Sequence, residues 1–112
     1  MATKKAPQGP DPQAWEDLTS HVHGLYDEMD KLAKKNPSAA LSELATKHVN
    51  RAIRDAKAMM AAHDTYMADL AEFVAAGDNP EVRDTVLVLR EIEQGLSRLN
   101  AQFGLHKARH GY

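Results

Sequence analysis

The 112-residue sequence contains no cysteine, which excludes a disulfide framework, a thiolate zinc site, an iron–sulfur cluster and a cysteine nucleophile. Aromatic residues make up only 5%, and β-branched residues never alternate with polar ones, so the pattern of a half-buried strand is absent. No uncharged run approaches the roughly 18 apolar residues that span a bilayer. The opening MATKKAPQGP has no apolar signal core, and these features together predict a cytoplasmic chain with no membrane segment. Gly-rich phosphate loops, Glu-x-x-His and His-Glu-x-x-His are all absent. Ser20, Ser38, Ser42 and Ser97 stand in no nucleophile setting. The expectation is a protein that is not an enzyme, with no catalytic residue and no cofactor.

What remains is 27% charged and 43% hydrophobic, the composition of one ordinary globular domain. Three dipeptides, Asp11-Pro12, Asn36-Pro37 and Asn79-Pro80, each place an N-capping side chain before a proline, whose missing N–H costs nothing at the first helical position. Gly77 and Gly104 stand where helices should stop, because a closing residue often needs positive φ. The signals predict an all-α fold of three antiparallel helices, about 12–35, 37–76 and 80–103. The helical domain spans 11–104, between a disordered basic tail at 1–10 and a flexible basic tail at 105–112.

Periodicity gives the same division. Trp15, Leu18, Val22, Leu25, Met29 and Leu32 recur at spacings of three and four, as do Leu89, Ile92, Leu96, Leu99 and Phe103. The middle segment carries Ala45, Val49, Ala52, Ala56, Met59, His63, Tyr66, Leu70 and Phe73, with a flanking row at Ile53, Met60, Met67 and Val74, a face wide enough for two neighbours. No Gly or Pro interrupts it, so it reads as one helix of roughly 60 Å, against about 36 Å for its neighbours. The first helix would then cover its first half and the third its second half. Apolar surface would be left at both ends, and exposed apolar stripes mark association. The expectation is a homodimer in which two long central helices pair.

Net charge is −2, yet the charges come in blocks. Residues 11–30 carry six acids and no Lys or Arg, residues 31–57 carry seven bases and two acids, and residues 58–84 carry six acids and one base. Lys47, Arg51, Arg54 and Lys57 share the outer side of the second helix. Read as function, this stripe would bind the phosphates of a nucleic acid. The favoured reading is a solvated face offset by the acidic first helix.

His63 alone among six histidines falls at the centre of an apolar face, in a register that would bring it near Glu91, Glu93 and Gln94. It is the weak candidate for a metal ligand, against the favoured reading of a hydrogen-bonded core histidine. In the run Val86-Leu87-Val88-Leu89, Leu87 projects about 160° away from Leu89. It is flanked on its own side by Arg83, Arg90 and Gln94. Arginines around a large apolar group resemble the centre of a protein interface. Function therefore reads first as a homodimeric helical interaction module, a scaffold, regulator or accessory subunit that binds another protein through the Leu87 surface. The alternative is an accessory nucleic-acid-binding protein, and less favoured still is a metal-binding bundle.

Overall fold

The computed structural model describes residues 10–61 and 81–106. Three helices build it: α1 (Pro12–Lys35), α2 (Glu43–Met60) and α3 (Val82–Phe103). Among the described residues there is no strand, only an isolated bridge between Ala40 and Glu81. Residues 1–9, 62–80 and 107–112 lie outside the description, and with them the expectations for His63, for Gly77, for the Asn79-Pro80 cap and for most of both tails.

At the start of α1 the Asp11 carboxylate accepts the Ala14 N–H at 3.1 Å, with Pro12 as the first helical residue. Lys34 and Lys35 occupy its last turn, where cations complement the partial negative charge of the carbonyl end. At the end of α3, Gly104 adopts φ +63° and returns its N–H to Asn100 O at 2.7 Å. Glycine reaches this left-handed conformation without the clash a Cβ brings.

The start of the second helix differs from the expectation at residue 37. Asn36 instead closes α1, donating its N–H to Leu32 O at 2.9 Å. Residues 37–42 then run outside any helix because α3 uses their backbone. The first N–H groups of a helix have no partner within it, and Val82 and Arg83 donate theirs to Ala39 O at 2.9 Å and Pro37 O at 3.2 Å. The true cap is Ser42, whose Oγ accepts the Ala45 N–H at 3.1 Å. Ser42→Ala is expected to cost about 1 kcal/mol in chemical denaturation, and an unchanged midpoint would contradict this start.

The 18 residues of α2 are about 27 Å long, and the rest of the expected helix, residues 62–76, lies outside the described residues. Rather than following one another along a central rod, α1 and α3 make the most extensive helix contact with each other, and α2 packs against both. The lone tryptophan fixes the first pairing, with Trp15 Nε1 donating to Leu96 O at 3.0 Å. One buried cluster joins Trp15, Leu18, Val22 and Met29 to Val49, Ile53 and Met60 of α2 and to Leu89, Ile92, Leu96 and Leu99 of α3. The α1 seam stops at Met29, and Leu32 is 44% exposed. A straight helix drifts about 20° per heptad against a 3.5-residue repeat, which rotates the last member of the seam off the core. The helical bundle is elongated, 55 × 26 × 20 Å with a radius of gyration of 15.6 Å, against roughly 13 Å for a compact chain of this size.

Candidate functional site

The outward face of α3 carries Arg83, Leu87, Arg90 and Gln94 at spacings of four, three and four, so they form one stripe along the helix. All four are exposed, and Leu87 stands 60% open while Leu89, two residues on, is fully buried. The arginines around it are held. Arg90 Nη2 donates to the Tyr26 hydroxyl of α1 at 3.2 Å, and its guanidinium carbon lies 6.0 Å from the Tyr26 ring centroid. Donation to that hydroxyl and the charge interaction with Tyr26, with smaller effects of Asp30 and Glu93, hold the Arg90 guanidinium above its ordinary pKa. Arg83 Nε stands 2.7 Å from Glu81 Oε1 at the helix start. A side chain already held in place gives up less freedom when a partner arrives. Two more charged residues, Asp84 and Glu91, are exposed one turn to either side of Leu87.

On α2, Lys47, Arg51 and Arg54 are exposed and Lys57 is half-buried. The nearest acids to the first two lie on their own helix: Lys47 pairs with Glu43 at 3.9 Å and Arg51 with Asp55 at 3.7 Å. Arg54 and Lys57 also have interaction partners. Exposed pairs within a helix contribute a few tenths of a kcal/mol, yet they leave less uncompensated charge for a polyanion. Of the acidic α1, Asp17 reaches the same crevice as Arg51.

That crevice, about 680 Å³ between α1 and α2, was not legible in the sequence. Ala14, Leu18 and Met59 form apolar wall, and Asp17, His21 and Arg51 are among its polar lining. The only hint is the small Ala14 and Ala58, which leave space where larger side chains would close it.

Histidines at 21 and 23 point to different neighbours, as a two-residue step on a helix requires. The His21 ring meets His48 of α2 edge to face, 6.3 Å between centroids. His23 Nδ1 lies 3.1 Å from Glu93 of α3. Glu93 thus serves α1, and the expected neighbourhood of His63 lies outside the described residues. Among the described residues no group of three or more His, Asp or Glu converges on a point that could hold a metal ion, and no helix is long and apolar enough to cross a membrane. Comparison with protein-family models, with curated proteins and with solved structures finds no match for this chain.

Proposed function

We propose that this chain is a non-enzymatic helical interaction module that acts as a homodimer, with the Leu87 face of α3 as its protein-contact surface. The observation that carries this reading is a large exposed apolar side chain set between two arginines that are each already held, Arg90 by Tyr26 and Arg83 by Glu81. Apolar groups bordered by arginine are what the centres of protein interfaces are enriched in. Within the protomer we read the bundle as antiparallel. Partners of α1 on α3 run backwards along the chain as α1 runs forwards: Leu96 with Trp15, Glu93 with His23 and Arg90 with Tyr26. The expected pairing of two long central helices falls largely on residues 62–76, outside the described residues, so the Leu87 face carries the dimer in this reading.

Sedimentation equilibrium of wild type and Leu87→Glu tests the proposal. Wild type is expected to show a mass rising with concentration from 12.4 kDa towards twice that value, whereas Leu87→Glu stays monomeric with unchanged helicity. A wild type monomeric at every concentration refutes the homodimer. The second reading, binding of nucleic acid through Lys47, Arg51, Arg54 and Lys57, predicts instead that Arg51→Glu with Arg54→Glu abolishes a salt-sensitive association with polyanions.

A further inference from the structure

We infer that His21 of α1 and His48 of α2 form a two-point clamp for a divalent transition cation, zinc, nickel or copper, that ties the two helices together. The site lies between α1 and α2, apart from Leu87 on α3, and does not depend on the homodimer. Among the described histidines, His23 lies 3.1 Å from Glu93 and His106 lies 3.8 Å from Glu16. His21 and His48 have no such acid among the described residues. Their rings meet edge to face, with 6.3 Å between centroids and 62° between planes. Both are exposed, and neutral imidazole is the commonest metal ligand.

The spacing suits one shared ion. A histidine nitrogen binds zinc at about 2.0–2.1 Å, which puts the ring centre about 3 Å from the metal. Two rings on one ion then have centres about 5 Å apart at a tetrahedral angle and about 6 Å at the widest. From 6.3 Å the pair has to close by about 1 Å, which rotation of two exposed side chains supplies. No third protein ligand converges here, so water completes the coordination, and the crevice that His21 lines, about 680 Å³, has room for it.

The surrounding charge favours a cation. Asp17, one turn before His21, and Asp55 line the same crevice as Arg51, two acids against one base. Arg51 is drawn to Asp55 at 3.7 Å. Asp17 Oδ1 accepts from Gln13 at 2.8 Å, and its second oxygen can take a hydrogen bond from a metal-bound water. Imidazole suits zinc, copper and nickel, whereas magnesium and calcium take oxygen ligands. A cation held by two helices favours the folded chain over the unfolded one, so binding raises thermal stability. The contact between α1 and α2 is the least extensive of the three helix pairs, which makes it the one a clamp strengthens most.

The test is titration of the full, tag-free chain with zinc chloride, followed by calorimetry and thermal unfolding. Wild type should bind one zinc per chain and melt at a higher temperature, and magnesium and calcium should do neither. Loss of even an outer-shell partner weakens metal sites about 10- to 100-fold, so His21→Ala and His48→Ala should each cost at least that much. His23→Ala, whose ring is engaged with Glu93, should bind zinc as wild type does. With copper, electron paramagnetic resonance should show two coordinated nitrogens in wild type and one in either of the first two variants.

Unchanged zinc affinity in His21→Ala or His48→Ala overturns the clamp. So does an equal response to calcium. Sedimentation in zinc separates a clamp within one chain from an ion bridging two: a mass that doubles only when zinc is added contradicts the site within one chain.

Discussion

Trp15→Ala is expected to destabilise the protein by about 3–5 kcal/mol, the usual range for truncating a buried tryptophan. The indole is 7% exposed and its Nε1–H holds Leu96 O across the α1–α3 contact, so the change removes core volume and leaves a carbonyl to find another donor. Small domains have only about 5–15 kcal/mol in total, so this one change takes a large share. Trp15→Phe, which keeps most of the apolar volume and loses the donor, should cost less than half as much. Denaturant unfolding followed by circular dichroism checks both. Equal losses would mean that the hydrogen bond, not the packing, dominates.

Ile53→Ala is the second change with a large expected effect, about 2–5 kcal/mol. Ile53 is fully buried in the face that α2 turns to the core, and a truncated side chain there leaves a cavity that its neighbours refill only in part. Leu44→Ala on the same helix is the control. Leu44 is 67% exposed, and substitutions at such positions usually fall within about 0.5 kcal/mol. Comparable losses at the two positions would contradict the orientation of α2.

The parts of this fold that could be read from sequence are those written in local signals. Asp11-Pro12 caps α1 through atoms three residues apart, and Gly104 ends α3 through its own φ. Asn36-Pro37 carries the same local signal as Asp11-Pro12 and behaves differently, because the carbonyls of Pro37 and Ala39 are drawn to Arg83 and Val82. No pattern within a helix-length window contains that competition.

The candidate surface divides in the same way. Spacing alone places Leu87 among Arg83, Arg90 and Gln94, since four residues of one helix at three- and four-residue steps share a face. The hold of Tyr26 on Arg90 joins residues 64 apart and depends on α1 lying against α3, a contact that no local pattern contains. The α1–α2 crevice was missed for the same reason, because its walls belong to helices whose relative register the sequence did not determine.

Amide hydrogen exchange across a dilution series most directly tests whether the Leu87 face of α3 is where this module makes its contact. Raising the concentration of wild type should slow exchange over residues 83–94 and leave the outer side of α2 at 44–58 unchanged. Protection gained on α2 instead, or at no position while the mass doubles, would contradict an interaction surface centred on Leu87.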